Sequence, residues 1–163
     1  MDLNKPVNFR IGFGFDVHRL MEGIPFHLGG VTIPGNKGAV GHSDADVLIH
    51  ALCDALLGAA GLPDIGFHFP DTDSQYKGID SKRLLEKTMV LIKSKGFSVG
   101  NIDATVCLEN PKISPFIVPM KAALAHILEV DESCISIKAT TNEKMGFVGR
   151  EEGVAAYAVV LIK

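Results

Sequence analysis

Residues 44–60 read Asp44-Ala-Asp-Val-Leu-Ile-His-Ala-Leu-Cys-Asp-Ala-Leu-Leu-Gly-Ala-Ala60, a segment that is apolar around most of a helix's circumference. Such a helix belongs in the core, so we expect this segment to be buried. Its polar residues are not scattered, because Asp46, His50 and Asp54 recur every fourth residue and share one stripe. Buried polar groups without partners are costly, so the stripe must meet polar chemistry elsewhere in the fold.

The run Gly12-Phe-Gly-Phe-Asp-Val-His18 can supply that chemistry. Residues i and i+2 of a strand share one face, so Asp16 and His18 can converge on one ion, while Val17 should face the core. With His50 they offer two imidazoles and one carboxylate, a set that suits zinc and leaves a fourth position for water or substrate. We expect an open zinc site with the stripe's carboxylates hydrogen-bonded around it. The alternative is a hydrogen-bond ladder confined to the helix, without a metal.

The composition indicates one catalytic domain spanning residues 1–163, of which 1–9 should be a frayed N-terminus. Hydrophobic residues make up 47% and charged residues 21%, as in a folded globular domain. The net charge of −3, without a long basic run, argues against a nucleic-acid partner. No apolar run is long enough to cross a membrane.

The cysteines and the N-terminal segment bear on the cellular compartment. Cys53, Cys107 and Cys134 are odd in number and surrounded by apolar residues, which is typical of reduced core thiols. The first ten residues lack the apolar region of a signal peptide. We expect a cytoplasmic protein, or one of a plastid-type organelle if a transit segment has been removed.

Strand and helix patterns alternate along the chain. Ser43 or Asp44 should cap the first helix, and Gly96 should end the second. Interleaved elements predict an α+β (mixed α/β) fold, with a single mixed β-sheet covered by helices on one face. The other face must also be hidden, which in so small a chain indicates an oligomer. The expected strands are 10–18, about 25–33, 102–108, 135–140 and 154–162, and the expected helices are 44–60, 80–95 and 114–128.

The remaining polar clusters fall in loops. His42 and Ser43 precede the first helix, whose free amides could bind an anion, although Ser43 could simply cap it. Residues 62–73 form a long connection with two prolines and three carboxylates, typical of a functional or mobile loop. Residues 110–112 and 140–144 offer a lysine, hydroxyls and a glutamate, which suit phosphate and magnesium, although such turn residues are often only solvated.

Taken together and in order, these segments closely resemble the 2-C-methyl-D-erythritol 2,4-cyclodiphosphate synthases, a family of the non-mevalonate isoprenoid pathway. The resemblance runs from Arg10 to Lys163. Its motifs are Gly-Phe-Asp16-Val-His18, Gly-His42-Ser43-Asp-Ala-Asp46, His50-Ala-Leu, Asp64-Ile-Gly66, Phe69-Pro-Asp71-Thr-Asp73 and Lys138-Ala-Thr140-Thr141-Asn-Glu143-Lys-Met-Gly-Phe147.

The resemblance implies a homotrimer with active sites between subunits. It implies one zinc ion per subunit on Asp16, His18 and His50, and a magnesium or manganese ion at Glu143. It further implies that His42 and Thr141 stabilise the transition state. The implied substrate contacts are Asp16, Val17, His18, His42, Ser43, Asp64, Ile65, Gly66, Phe69, Pro70, Asp71, Thr72, Asp73, Leu108, Glu109, Asn110, Pro111, Lys112, Ile113, Ser114, Thr140, Thr141, Asn142, Glu143, Phe147 and Arg150, the last two near a cavity on the trimer axis.

The implied enzyme is a phosphorus-oxygen lyase. It would convert 4-diphosphocytidyl-2-C-methyl-D-erythritol 2-phosphate, a cytidine diphosphate derivative, into the cyclic 2,4-diphosphate and CMP by metal-assisted intramolecular phosphoryl transfer. Two other functions fit parts of the pattern. A zinc-dependent phosphoesterase would share the open metal site, and a non-catalytic nucleotide-binding trimer would need only the cytidine pocket.

Overall fold

A mixed five-stranded sheet organises the computed structural model, which describes residues 9–163. Its strands lie in the order β4-β1-β7-β5-β6; β5 and β6 are parallel and the other neighbours antiparallel. The strands β2 and β3 form a separate hairpin. The bounds are β1 Arg10–Glu22, β2 Phe26–Leu28, β3 Val31–Ile33, β4 Lys37–Val40, β5 Val99–Cys107, β6 Ile135–Thr140 and β7 Gly153–Ile162.

Five helices accompany the strands, and the three long ones confirm the sequence prediction. They are α1 Val47–Ala59, α2 Ile65–His68, α3 Ser81–Ser94, α4 Ile117–Leu128 and α5 Gly146–Gly149, and short 3-10 turns span Ser74–Tyr76, Ser114–Phe116 and Glu132–Cys134. The predicted mixed sheet is therefore present. The expected fray at residues 1–9 lies, apart from Phe9, outside the described residues.

The predictions for the cap of α1 and for the second strand were wrong. The N-cap of α1 is Asp46, whose side chain accepts a hydrogen bond from the Ile49 amide, rather than Ser43 or Asp44. The strand expected near residues 25–33 is a hairpin. Gly29 and Gly30 turn the chain there at φ of 58° and 80°, a conformation that glycine adopts without strain.

Helix α1 packs directly on the backbone of β1. A Cβ atom on Gly12 would lie 1.8 Å from the carbonyl oxygen of Ala55, and one on Gly14 would lie 1.9 Å from that of Ala51. Side chains at these two positions would therefore hold the helix away from the sheet. Apart from His50, Asp54 and Gly58, α1 is buried between the sheet and α3, as the sequence predicts.

The opposite face of β1 is apolar and uncovered. Because Gly12, Gly14, Asp16 and His18 share the face toward α1, the residues between them point the other way. The prediction that Val17 faces the core is therefore wrong, since its side chain is exposed. The exposed apolar side chains of this face on β1 and β7 are Ile11, Phe13, Phe15, Val17, Tyr157 and Val159.

The three cysteines are free thiols. Only Cys53 is fully buried, and burial raises the pKa of its thiol to about 12. Cys107 and Cys134 are half-buried, so the prediction of core thiols holds for one of three. Within residues 9–163, no helix combines the length and hydrophobicity needed to span a membrane.

We predict that Gly14→Ala lowers the free energy of unfolding by about 3 kcal/mol, because the new methyl group collides with the α1 backbone. Gly58→Ala is the matched control. Gly58 is an exposed position in α1 where an added Cβ meets nothing within 4 Å, so alanine should raise stability by about 0.5–1 kcal/mol. Urea denaturation of both variants measures the difference, and a change of the same sign in both would contradict the packing described.

Candidate active site

Three side chains meet where α1 crosses β1. Asp16 Oδ2 lies 2.9 Å from His18 Nε2 and 3.0 Å from His50 Nδ1, and the two nitrogens are 3.0 Å apart. Ligands bonded to one tetrahedral zinc ion at about 2.0–2.1 Å stand about 3.3 Å from each other. The triangle is thus close to the size that a single divalent ion needs.

Hydrogen bonds alone cannot satisfy this triangle. If both imidazole nitrogens donate to the Asp16 oxygen, two N–H groups face each other across 3.0 Å. If either nitrogen is unprotonated, its lone pair faces the carboxylate. A cation between the three atoms accepts all three lone pairs, so the donor set fits a metal. Among the described residues, this is the one cluster with the geometry of a metal site.

The charge of the site follows from these contacts. Burial alone would raise the pKa of Asp16, but the interactions of its carboxylate with the imidazoles of His18 and His50 outweigh this and lower the pKa to about 2. Burial would lower the pKa of His18, but its hydrogen bond to Asp16 outweighs this and raises it. Asp16 is therefore an anion at neutral pH, and the site attracts a positive charge, either a proton or a metal ion.

The second nitrogen of each imidazole is also bound. His18 Nδ1 donates to the Val40 carbonyl oxygen at 3.0 Å, so Nε2 is the nitrogen that can give up a proton and bind a metal. His50 Nε2 lies 3.0 Å from the hydroxyl oxygens of both Ser43 and Ser81. Such outer hydrogen bonds orient metal-binding histidines. Ser81 belongs to no motif in the sequence, so nothing in the sequence indicates a role for it in the site.

The two carboxylates of the α1 stripe do not surround the triad. Asp46 accepts hydrogen bonds from the amides of Gly29 at 2.9 Å and Gly30 at 2.7 Å, besides capping α1. Asp54 accepts from the Ile65 amide at 2.7 Å. The predicted ring of carboxylates around the metal is therefore wrong, and so is the alternative ladder within the helix. Each carboxylate instead fixes a different neighbouring segment.

A cavity of about 370 Å³ opens beside the triad. The predicted contacts His42, Ser43, Ile65, Gly66, Phe69 and Asp71 line it together with His18, His50 and three residues that the sequence did not suggest, Tyr76, Ile79 and Leu84. Those three are apolar or aromatic core types, so nothing in the sequence marked them.

The other predicted contacts of the 64–73 segment lie outside this lining. Asp64 caps α2 through the Phe67 amide, and Asp73 caps the following turn through the Gln75 amide. Pro70 and Thr72 continue the segment between them.

A second cavity of about 230 Å³ lies at the ends of β5 and β6. Seven predicted substrate contacts line it, with Ile117 and Ala139: Leu108, Pro111, Lys112, Ile113, Ser114, Thr140 and Thr141. Thr141 Oγ1 donates to Glu143 Oε1 at 2.8 Å, so the predicted magnesium ligand stands beside this cavity.

Glu109 and Asn110, two further predicted contacts, do not line the second cavity. The Glu109 carboxylate is buried and accepts hydrogen bonds from the amides of Asn142 at 2.9 Å and Lys144 at 3.2 Å. Burial would raise its pKa, but these bonds and the Lys144 ammonium outweigh it and lower the pKa. Asn110 donates to Glu151 at 2.7 Å. In this chain both side chains are engaged with protein groups.

The two cavities are separate. Val17, Ala155, Cys107 and Thr140 form one row across the sheet, through the pairings of β1 with β7, β7 with β5, and β5 with β6. Three strand spacings put Val17 and Thr140 about 14 Å apart. The cavities share no lining residue, and Glu143 does not join the metal triad within the chain.

The last two predicted contacts lie beyond these cavities. Phe147 in α5 is partly exposed, and its ring packs so closely on Gly153 that a Cβ there would lie 2.9 Å from the ring. Arg150 pairs with Glu152 through two hydrogen bonds of 3.0 Å. Neither residue lines the cavity at the triad or the one at the ends of β5 and β6.

Fold and triad define the class: an α+β protein with a three-residue site suited to a divalent metal, next to a cavity of ligand size. Comparison with known proteins then gives the family. The chain belongs to the YgbB family, whose model matches residues 9–163.

Named relatives and solved structures are similar to this chain over most of its length. The 2-C-methyl-D-erythritol 2,4-cyclodiphosphate synthase of Porphyromonas gingivalis is 62% identical over 160 residues, which cover 98% of each chain. The IspF of Plasmodium falciparum in complex with CDP is 34% identical, with a TM-score of 0.84 and 97% of each chain covered. The bifunctional IspDF of Campylobacter jejuni is 46% identical with a TM-score of 0.92, and the match covers 96% of this chain and 42% of that one.

We expect the triad to bind zinc tightly and predict that His50→Ala abolishes this binding without unfolding the chain, because the apolar residues of α1 still pack on the sheet. His126→Ala is the control, since His126 is an exposed histidine on α4. Metal analysis of the purified proteins, with circular dichroism to check folding, compares them. If the His50 variant still bound one zinc ion per chain, His50 would not be a metal ligand.

Proposed function

We propose that this protein converts 4-diphosphocytidyl-2-C-methyl-D-erythritol 2-phosphate into 2-C-methyl-D-erythritol 2,4-cyclodiphosphate and CMP. The observation that carries the proposal is the metal triad of Asp16, His18 and His50, set beside a cavity in a chain of the YgbB family. The high identity to a relative named for this product supports the choice of reaction.

The reaction is a displacement within one molecule. An oxygen of the 2-phosphate forms a bond to the β-phosphorus, and the bond from that phosphorus to the oxygen bridging to the α-phosphate breaks. CMP leaves with that oxygen and its electron pair, so no water is consumed. The protein's main task is to fold the substrate and offset the repulsion between its phosphates.

The residues of the chain divide that task. His42 and Ser43, at the cavity beside the triad, would donate hydrogen bonds to phosphate oxygens, and Thr141 would donate to charge that develops at the transferred phosphoryl group. Lys112 would offset phosphate charge. Asp16, His18 and His50 would hold zinc, which supplies Lewis-acid polarisation of a phosphate oxygen.

A second, hard cation would be held through Glu143. Magnesium or manganese prefers carboxylate oxygen, and the Glu143 carboxylate stands beside the second cavity. In the chain as described, this carboxylate accepts the single hydroxyl proton of Thr141. A cation held by Glu143 would release that proton toward the phosphoryl group.

We further infer a homotrimer with active sites between subunits. The uncovered apolar face of β1 and β7 supports association, because exposed apolar patches of this kind mark interfaces. The separation of the two cavities supports a composite site, in which the triad of one subunit faces the second cavity of its neighbour. A cytoplasmic location remains a prediction of the sequence.

Phosphorus NMR of the products, with the reaction run in ¹⁸O-labelled water, tests the function. We expect an eight-membered cyclic diphosphate plus CMP, and no solvent oxygen in either product. A linear product that carries ¹⁸O would indicate a zinc-dependent phosphoesterase. Binding without turnover would indicate a nucleotide-binding protein. The His50→Ala variant gives the background of the assay.

Mixed oligomers test the composite site. Asp16→Asn should disable the sites of its own trimers by spoiling the metal centre, and Lys112→Ala should cripple its own by removing a phosphate contact. When the two are refolded together at random, roughly a quarter of all sites should combine two intact halves, because each half is sound with a chance of about one half. We expect activity well above that of either parent.

Mass spectrometry must first confirm that mixed oligomers have formed. Each variant refolded alone is the control for losses during refolding. If mixed oligomers are present but no more active than the parents, both halves lie within one chain.

A further inference from the structure

Ser81, the first residue of α3, places a buried hydroxyl against a ligand of the metal triad. Its residue exposure is 0%, and its Oγ lies 3.0 Å from His50 Nε2. This contact is on the side of the imidazole away from Asp16, which faces Nδ1. Ser81 is therefore placed to orient the ligand without reaching the metal.

The direction in which the Ser81 hydroxyl donates its hydrogen bond can be deduced from its partners. Asp44 accepts hydrogen bonds from both the amide and the hydroxyl of Ser81, the amide contact being 3.1 Å. A carboxylate can only accept, so the single hydroxyl proton points to Asp44. The Ser81 oxygen must then accept from His50, which puts the imidazole proton on Nε2 and leaves the Nδ1 lone pair free.

We propose that Ser81 and Asp44 are positioning residues that hold His50 in the tautomer and orientation required of a metal ligand. The proposal rests on the metal site of the proposed function. It extends that site to a chain of three groups that runs from the triad through Ser81 to Asp44, the carboxylate that also accepts from the Asp46 amide at the start of α1. The same carboxylate thereby links the start of α1 to the start of α3.

This arrangement gives different roles to the two serines next to His50: Ser81 orients the imidazole, and Ser43 faces the cavity. Ser43 Oγ accepts from the Ala45 amide at 3.2 Å and lines the cavity beside the triad. Ser43 Oγ also lies 3.3 Å from Ser81 Oγ. Because Ser81 accepts the imidazole proton, His50 does not need the Ser43 proton, which can turn toward Ser81 or toward a ligand in that cavity. Loss of Ser81 should therefore weaken metal binding, whereas loss of Ser43 should chiefly weaken substrate binding.

Substitutions at both positions test the chain of hydrogen bonds. Ser81→Ala removes the acceptor, and Asp44→Asn replaces the obligatory acceptor by a group whose NH₂ must oppose one of the donors around it. We expect each to weaken zinc binding by about 10–100-fold, measured by competition with a chelator. The matched control is Thr88→Val, which removes a buried hydroxyl from the same helix about two turns further on and should change zinc affinity by less than about twofold.

A direct measurement of the tautomer distinguishes positioning from general stabilisation. In the zinc-free protein, ¹⁵N NMR should show the proton of His50 on Nε2 in the wild type and a mixture of tautomers in Ser81→Ala. A wild-type proton on Nδ1 overturns the proposal even if the variants fail to fold. Zinc affinity of a folded Ser81→Ala equal to that of Thr88→Val also overturns it.

Failure of the proposed function would look different. A wild-type protein that binds no zinc would remove the metal site itself, while the ¹⁵N measurement would still decide how His50 is held. Conversely, tight zinc binding by every variant would leave the triad in place and reject only the role of Ser81 and Asp44.

Discussion

The contact between the backbone of α1 and the backbone of β1 is the constraint on which the remaining structure depends. It requires glycine at positions 12 and 14, where any side chain would meet helix carbonyl oxygens. The next two residues on the same face of the strand are Asp16 and His18. The close approach that removes two side chains from the interface thus brings His50 of the helix within 3.0 Å of these two ligands.

The same alternation determines the other face of β1. Once the even-numbered residues face the helix, Phe13, Phe15 and Val17 must face outward, where Tyr157 and Val159 of the neighbouring strand extend the apolar surface. Apolar surface removed from water stabilises an association by about 25 cal/mol per Å². One strand therefore carries a polar site on one face and, on the other, the surface that we assign to subunit contact.

The sequence predicted the triad because its two spacings follow backbone geometry: two residues along a strand, and four along a helix. The main strands and the three long helices could be predicted for the same reason. Alternation does not reveal which face of a strand is covered, however. The orientation of Val17 depended on the small size of Gly12 and Gly14, which permits the helix to approach.

The hydrogen-bond partners of the buried polar groups could not be predicted from such spacings. Asp46 binds amides of Gly29 and Gly30, 17 and 16 positions away, and Ser81 meets His50 across 31 positions. Nearly every residue has a backbone amide, so a sequence pattern cannot show which amides a carboxylate will bind. A single serine at the start of a helix is common in any fold, because serine is a usual capping residue. Contacts of this kind emerge only when distant segments are placed together.

Two further contacts between a carboxylate and backbone amides hold the loops of the site in position for its proposed chemistry. Asp54 fixes the amide of Ile65, which lines the cavity beside the triad, and Glu109 fixes the turn that follows Thr141 at the second cavity. In a displacement between two groups of one substrate, catalysis consists mainly of holding them in the reactive geometry. Carboxylates that bind backbone amides hold a loop more firmly than solvated side chains, because each amide contact adds a charge-assisted hydrogen bond. The hydrogen-bond partners that escaped prediction are therefore what keeps the predicted site residues in place.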